Sequence, residues 1–256
     1  MFYYEMPQFE KKRLLRTEML EQIRDFPRDY LEILYDGYSD GILHGCRISW
    51  SENRLIIGAG ILRYHDRLYF MKEPFQIKCE AQDKVRYLKV QFQVPVKENG
   101  NLVGKTRVYL DSMAPDSEDE IELCRFRLQE GARLRYVYEN FADCITEFDT
   151  VHLVNVPWAS PGKPTLHPII LKQFAVEILK KKKDILDSSF AIDVLTNKGI
   201  MPDEAVRMYV GVRTGNDAEK GNEGLYRGLL KILKMSGTDF PVQEKKDGTQ
   251  RRIVLW

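Results

Sequence analysis

Residues Tyr35–Met71 have the sequence YDGYSDGILHGCRISWSENRLIIGAGILRYHDRLYFM. Within it, Cys46, Ile48 and Trp50 alternate with polar residues, which is the period of a strand with one buried face. Residues that favour turns separate the apolar runs, namely Asn53, Gly58, Gly60 and the pair His65-Asp66. The stretch therefore predicts short antiparallel strands joined by tight turns.

The same period continues towards the C-terminus. Its alternating apolar positions are Phe75, Ile77 and Cys79, then Leu88, Val90, Phe92 and Val94. The pair Asn99-Gly100 predicts a two-residue hairpin, because both residues tolerate positive φ. Leu123–Leu134 and Val151–Val156 add further strand sequence. We expect a mostly antiparallel β domain that ends near Trp158.

A helix is expected before these strands. Residues Gln8–Arg24 place apolar residues at helical spacing among charged ones, at Phe9, Leu14, Leu15, Met19, Leu20 and Ile23. Pro27 follows this pattern and predicts the end of the helix. The apolar face of this helix is a candidate contact surface for a partner. The aromatic strands around Tyr64, Tyr69 and Phe70 are a second candidate. The alternative for these strands is that their rings pack on the core of their own domain.

A proline-rich segment divides the chain. Residues Pro157–Pro168 have the sequence PWASPGKPTLHP, with four prolines, and predict a stiff connector. We therefore expect residues 1–158 to form the N-terminal helix and an antiparallel β docking domain. Residues 159–168 are the predicted linker, and residues 169–256 are the predicted helical domain.

The second half shows helical patterns with end signals. Ile170, Phe174, Ile178 and Ile185 are expected to share one face. One helix is expected over Phe190–Leu195, with a cap at Ser188 or Ser189 and a stop at Gly199. The next is expected to start at Pro202, with Asp203 and Glu204 in its first turn. A last helix is expected over Glu223–Met235, and Gly237 ends it.

The last residues contain a hairpin signature, FPVQEKK followed by Asp247-Gly248 and TQRRIVLW. Helices followed by a β-hairpin are typical of a winged-helix module, in which Glu223–Met235 is the recognition helix. The predicted fold class is thus α+β: an N-terminal helix and a mostly antiparallel β domain, then a helical winged-helix-like domain.

The composition excludes several classes of protein. Of the 256 residues, 43% are hydrophobic and 30% charged, which is an ordinary globular mixture. No apolar run approaches the roughly 20 residues of a membrane span, and Met1–Glu10 lacks the features of a secretory signal. We expect a cytoplasmic protein without membrane contact, in which Cys46, Cys79, Cys124 and Cys144 are reduced and buried.

Motifs for catalysis and cofactor binding are missing. The sequence has no GxSxG, HExxH, phosphate-binding GxxxxGK[ST] or GxGxxG entering a helix. We expect structural roles for the dispersed histidines, His44, His65, His152 and His167, and a solvated loop for the acidic stretch at residues 111–122. We therefore predict no catalytic, cofactor or metal site and no enzyme activity, with a site assembled from distant residues as the remaining alternative.

Charge is distributed unevenly along the chain. Residues 1–164 hold 23 basic and 26 acidic side chains, whereas residues 165–256 hold 16 and 12. The run Lys180–Lys183 points around a helix and predicts a solvated helix end. A nucleic-acid surface is the alternative reading of the C-terminal module, and its candidate residues are Arg227, Lys231 and Lys234 on one helix face with Arg251 and Arg252 on the hairpin.

Residues 35–71 also resemble the entry segment of phage tail, baseplate and tail-fibre proteins, in which a helix leads to an SDGIL-x-GC turn and a GI-x-Y-x-x-x-x-Y strand pair. The matching residues are Ser39, Asp40, Gly41, Gly45, Cys46, Gly60, Ile61, Tyr64 and Tyr69. The helical second half differs from the fibre members, which continue into receptor-binding β modules.

The resemblance implies a structural or assembly protein of a phage or prophage tail or baseplate-like particle. Its implied partners are other tail or baseplate proteins, with a homo-oligomer as a further option. Its implied location is the cytoplasm during assembly and then the particle. The alternative hypothesis is a nucleic-acid-binding regulator that uses the winged-helix-like module.

Overall fold

The structure is a computed structural model that describes residues 6–9, 11–12, 14–116, 118–181 and 184–237. The chain divides into two compact units, Met1–Tyr38 and Ser39–Trp256, and each is described by itself. The described chain contains separate helices and antiparallel strands, which confirms the predicted α+β class.

Among the described residues of the first unit, helix α1 spans Thr17–Leu34 and has Pro27 in its interior. The prediction of a helix over residues 8–24 was therefore wrong at both ends. Pro27 removes one backbone N–H, at a typical cost of about 3 kcal/mol. The helix nevertheless continues, because apolar residues recur at helical spacing beyond the proline, at Tyr30, Leu31 and Leu34.

The second unit begins with a series of short strands. They are β1 Gly41–Gly45, β2 Ile48–Ser51, β3 Arg54–Ile57, β4 Gly60–Tyr64, β5 Arg67–Met71, β6 Phe75–Lys78, β7 Val85–Phe92, β8 Val96–Glu98, β9 Asn101–Val103, β10 Thr106–Asp111 and β11 Glu120–Arg127. They form three three-stranded sheets with the orders β1-β4-β5, β2-β3-β6 and β10-β7-β11, and a β8-β9 pair. Every named pair is antiparallel, as predicted.

The predicted hairpin at Asn99-Gly100 is confirmed. Glu98 pairs with Asn101, and the two residues between them have φ values of +48° and +78°. These values match a two-residue turn in which both central residues have positive φ.

Helices follow the strands. They are a 3-10 helix Phe141–Ile145, then α2 Pro168–Leu179, α3 Ile185–Thr196, α4 Asp203–Thr214 and α5 Gly221–Met235. The N-cap of α3 is Asp184, which accepts a hydrogen bond from the Leu186 N–H, so the predicted cap at Ser188 or Ser189 was wrong. Ile185 is 85% exposed and does not share the buried face of Ile170, because the helix is interrupted before Asp184.

The other helix signals are confirmed. Gly199 has a φ of +84°, and a Cβ there would lie 2.5 Å or less from the Pro168 carbonyl oxygen, so only glycine fits at this end of α3. Pro202 caps α4, whose first turn contains Asp203 and Glu204 beside the positive end of the helix dipole.

The segment Pro157–Pro168 is hydrogen-bonded at both of its ends. Trp158 and Thr165 exchange backbone hydrogen bonds, and the Ala159 N–H donates to the Ile42 carbonyl of β1 at 2.8 Å. The Asn222 side chain of α5 donates to the carbonyls of Val156 and Thr165. A continuous hydrophobic core runs from the strands through this segment into the helices. The division into domains 1–158 and 169–256 stays a prediction.

The predicted C-terminal hairpin, with Asp247-Gly248, Arg251 and Arg252, lies outside the described residues, as do Lys182 and Lys183. The winged-helix module therefore stays a prediction, of which the described part contains the helices.

A buried ion cluster occupies one face of the β10-β7-β11 sheet. The Lys89 side chain is 2% exposed, and its Nζ lies 2.8 Å from Asp111 Oδ2 and 2.9 Å from Glu120 Oε2. Tyr109 donates a hydrogen bond to Glu120. Burial opposes the charged form of Lys89, but the bonds to Asp111 and Glu120 outweigh it and raise the pKa of Lys89.

The acidic stretch at residues 111–122 was predicted to be a solvated loop, and its two ends are not. Asp111 ends β10, and Glu120 and Glu122 lie in β11. Glu122 is buried and receives two hydrogen bonds from Arg125. The prediction failed because cations outside this stretch neutralise these carboxylates. Lys89 of β7 pairs with Asp111 and Glu120, and Arg125 of β11 pairs with Glu122.

We expect Lys89→Ala to lower the free energy of unfolding by about 3–5 kcal/mol, because it leaves the carboxylates of Asp111 and Glu120 without their buried cation. The control is Lys105→Ala, which removes an exposed ion pair with Glu98 and should cost less than about 1 kcal/mol. Urea denaturation of the three proteins at pH 7 measures both values. Equal losses for the two variants would contradict the structural role of the cluster.

Candidate protein-docking surface

Helix α1 carries a one-sided apolar surface. At 100° per residue, its apolar side chains fall within about 160° of the helix circumference. We call this set the α1 apolar face, and it consists of Met19, Leu20, Ile23, Phe26, Pro27, Tyr30, Leu31, Ile33 and Leu34. None of these residues is buried, and Phe26 and Ile33 are 71% and 78% exposed.

The opposite side of α1 is polar. It holds Glu18, Glu21, Arg24, Asp25, Arg28, Asp29 and Glu32. Arg24 makes two hydrogen bonds to the neighbouring Asp25 carboxylate, at 2.6 and 2.7 Å. An amphipathic helix with a wide apolar stripe normally buries that stripe, so its exposure makes the α1 apolar face a candidate surface for a partner.

Most of this surface was missed in the sequence. The interpretation of Pro27 as a stop left six of its nine residues out of the predicted helix, namely Phe26, Pro27, Tyr30, Leu31, Ile33 and Leu34. The signal that could have found them is the continued spacing of three and four residues along Leu20, Ile23, Pro27, Tyr30 and Leu34.

The aromatic strands, the second predicted surface, mostly pack internally. The ring of Tyr64 stacks on Phe92 at 4.0 Å, and the ring of Tyr69 meets Phe92 edge-on at 5.0 Å. Phe70 points the other way and is 58% exposed. Tyr64 and Tyr69 therefore belong to the core, and only Phe70 is available at the surface.

The predicted nucleic-acid residues in α5 do lie on one face. Lys231 and Lys234 are exposed. Arg227 instead contacts two carboxylates, Glu219 at 3.1 Å and Glu223 within its own helix. These carboxylates offset the charge of Arg227. In the described part of this face, the positive charge is therefore carried by Lys231 and Lys234.

A small apolar cavity of about 50 Å³ lies among the three three-stranded sheets. It is lined by Cys46, Ile57, Gly60, Leu62, Tyr69, Phe70, Met71, Val90, Thr106, Val108 and Leu123. Burial raises the pKa of the Cys46 thiol to about 11, so this thiol is protonated at neutral pH. The cavity is thus mainly apolar, and the Cys46 thiol in its lining is not an activated nucleophile.

The four cysteines are free and buried, as predicted. Burial raises the pKa of Cys79 to about 11 and raises those of Cys124 and Cys144 well above the ordinary value. Within the described ranges, no three His, Cys, Asp or Glu side chains are grouped so that they could hold a metal ion. Similarly, none of the described helices is long and apolar enough to cross a membrane.

Two histidines have structural partners. The His152 ring is buried, with Nε2 2.6 Å from the Thr146 carbonyl oxygen. His167 caps α2, since its Nδ1 accepts a hydrogen bond from the Ile169 N–H. Burial lowers the pKa of His152 to about 4, so the ring is neutral at pH 7 and donates to the carbonyl.

No protein-family model matches the sequence, and no curated protein matches it. A crystal structure of TssK is 9% identical, with 91% of this chain and 69% of that chain covered, at a TM-score of 0.41. A chain from a cryo-electron microscopy structure of the type VI secretion system TssK-TssF-TssG baseplate subcomplex is 12% identical, with 92% and 100% covered, at a TM-score of 0.38.

Acid is expected to destabilise the fold through His152. The unfolded chain takes up a proton near pH 6.5, whereas the folded ring resists protonation down to about pH 4. Stability therefore falls as the pH drops through this window, by about 2 kcal/mol between pH 7.5 and pH 5. Urea denaturation at both pH values should show that His152→Gln reduces the fall by this amount, while replacing the exposed His44 by Gln leaves it in place. An unchanged fall in His152→Gln would contradict the assignment.

Proposed function

We propose that this chain is a structural subunit of a baseplate-like or tail-like particle and that it acts through protein–protein contacts. The observation that carries the proposal is the exposed α1 apolar face, in which every apolar residue of the helix lies on one side and none is buried. Burying such a side chain fully is worth about 1.5–3 kcal/mol, so the face supplies enough free energy to hold a partner.

The shape of the face indicates the type of contact. An amphipathic helix that presents anchors at i, i+3, i+4 and i+7 fits an apolar groove or a bundle of other helices. Ile23, Tyr30 and Leu34 form the centre of the stripe, and charged residues border it on both sides. Central aromatic and aliphatic anchors with a polar rim are typical of a protein interface.

The proposed class of particle rests on the sequence of residues 39–69. These residues resemble phage tail and baseplate proteins, and the strands and turns that the resemblance requires are present, with Gly41 and Gly45 at φ values of +144° and +71°. A phage or prophage particle is the proposed setting. The proposed partners are other subunits of the particle.

A nucleic-acid-binding regulator is the second candidate. The observation that favours it is the pair Lys231 and Lys234, exposed on one face of α5. Two phosphate contacts give weak, strongly salt-dependent binding.

We expect the double variant Ile23→Asp/Tyr30→Asp to lose its place in the particle. Two charges in the centre of the face should weaken the contact roughly hundredfold or more, because each buried anchor contributes about 2 kcal/mol. Particles are purified by ultracentrifugation from the cells that naturally make the protein, and the protein is quantified by mass spectrometry in the particle and in the free pool.

The matched control is Glu21→Ala/Arg28→Ala on the polar side of α1, which should enter particles like the unmodified protein. Circular dichroism checks that each variant keeps its helix content. The other proteins in the purified particle distinguish a phage tail from a secretion baseplate. Equal incorporation of both double variants, or no particle-bound protein at all, would contradict the proposal.

The two candidate functions also differ in solution. We expect the full chain to show no binding to duplex DNA at physiological salt in fluorescence anisotropy, and any binding at low salt to be lost in Lys231→Gln/Lys234→Gln. Tight binding that survives physiological salt would overturn the assembly proposal in favour of the regulator.

A further inference from the structure

Strand β5 lies at the edge of its sheet, which has the order β1-β4-β5. Tyr64 and Arg67 pair across the turn that joins β4 to β5, and the two residues of this turn have positive φ values of +45° and +60°. In such a hairpin the pair that flanks the turn exchanges both backbone hydrogen bonds, and this arrangement recurs at every second pair. The N–H and C=O of Tyr69 therefore point towards β4, whereas those of Leu68 and Phe70 point away from it.

The outward backbone groups of β5 are unpaired within the described part of the chain. No described group forms a hydrogen bond there with the backbone of Leu68 or Phe70. Other edges are covered: the Ile42 N–H of β1 donates to the Pro157 carbonyl at 2.8 Å, and β11 bonds to the backbone of His152. Native sheets normally cover an edge or block it with a proline, a bulge or a charge in mid-strand, and β5 has none of these.

The side chains beside this edge form an apolar surface. Phe70 is 58% exposed and lies opposite Ile61 of β4. Leu68 shares this side of the sheet, because residues i and i+2 of a strand point the same way, and both Ile61 and Leu68 are half-buried. Tyr69 points to the other side, where it meets Phe92. A strand added at the edge would place a side chain directly beside Phe70, and β-branched or aromatic residues are preferred at such a position.

Positive charges stand at both ends of β5. Arg67 is its first residue, Lys72 follows its last, and both are exposed. Among the described acidic residues, none forms an ion pair with either side chain. Asp66 pairs with Arg63 instead, and Glu73 is exposed beside Lys72 without bonding to it. A partner segment with an acidic residue at each end would therefore complement this strand.

We propose that β5 is a second docking surface, which accepts an extended segment of another protein as an added strand. The segment forms backbone hydrogen bonds with Leu68 and Phe70, places an uncharged β-branched or aromatic side chain beside Phe70 and carries acidic residues at its ends. This surface is separate from the α1 apolar face and uses different residues, so the failure of one docking surface in its test leaves the other standing.

A labelled heptapeptide of sequence ETVTVTE, blocked at both ends, is the probe, and fluorescence anisotropy follows its binding as the full chain is added. We expect saturable binding at submillimolar protein. The same peptide N-methylated at all of its central residues keeps its side chains but has no central N–H to donate, so it should bind roughly tenfold more weakly or less. The peptide KTVTVTK should also bind more weakly, because its ends repel Arg67 and Lys72.

Two substitutions at one position separate the backbone from the side chain. Phe70→Pro removes the outward N–H and leaves the bonds to β4, which an edge strand tolerates, and should weaken peptide binding roughly tenfold or more. Phe70→Ala removes the ring but keeps the N–H, and should weaken binding roughly threefold. Circular dichroism checks that both variants keep the fold. Equal losses in the two variants would assign the contact to the ring and contradict backbone pairing.

Amide exchange measured by NMR gives a readout that needs no variant. The N–H groups of Leu68 and Phe70 should exchange rapidly in the free chain and slowly with ETVTVTE bound, whereas that of Tyr69 should be slow in both. No binding, equal binding of the N-methylated peptide, or unchanged exchange at Leu68 and Phe70 would each overturn the proposal. Slow exchange at these two amides in the free chain would show that the chain itself or a second copy already covers the edge, which would overturn it as well.

Discussion

Three aromatic rings hold the second unit together. Phe141 of the 3-10 helix stacks on Tyr226 of α5 at 4.7 Å and meets Phe174 of α2 edge-on at 5.7 Å. The Tyr226 hydroxyl donates to the Phe141 carbonyl at 2.8 Å, and the Phe141 N–H donates to Glu177. The backbone groups of this buried residue are thus satisfied by the same helices that its ring contacts. This junction joins the 3-10 helix, α2 and α5 within the hydrophobic core that the helices share with the strands.

Periodicity predicted most of this architecture. Alternation located the strands, and Asn99-Gly100 and Gly199 located a turn and a helix end, because each depends on residues close in sequence. The errors have different causes. Pro27 was taken as a stop although the apolar spacing, a local signal, continues beyond it. Glu120 was assigned to solvent because its partner Lys89 lies 31 residues away, which a local pattern does not show.

The candidate site was predictable in part. Helical spacing shows that a helix has an apolar side, but it does not show what covers that side. For α2 the core covers it, whereas the α1 apolar face is exposed. The same limit applies to Tyr64 and Phe70, which the sequence offers as equal candidates for a contact surface. In the structure Tyr64 packs on Phe92, whereas Phe70 is exposed. Exposure is a property of the folded chain.

The central claim is that the α1 apolar face is buried by a partner in an assembled particle. Hydrogen exchange followed by mass spectrometry, on the isolated full chain and on purified particles, tests it directly. The account predicts that amides of residues 17–34 exchange rapidly in the isolated chain, because no side chain of the helix is buried, and become strongly protected in the particle. Exchange that is equally fast in both samples would contradict it.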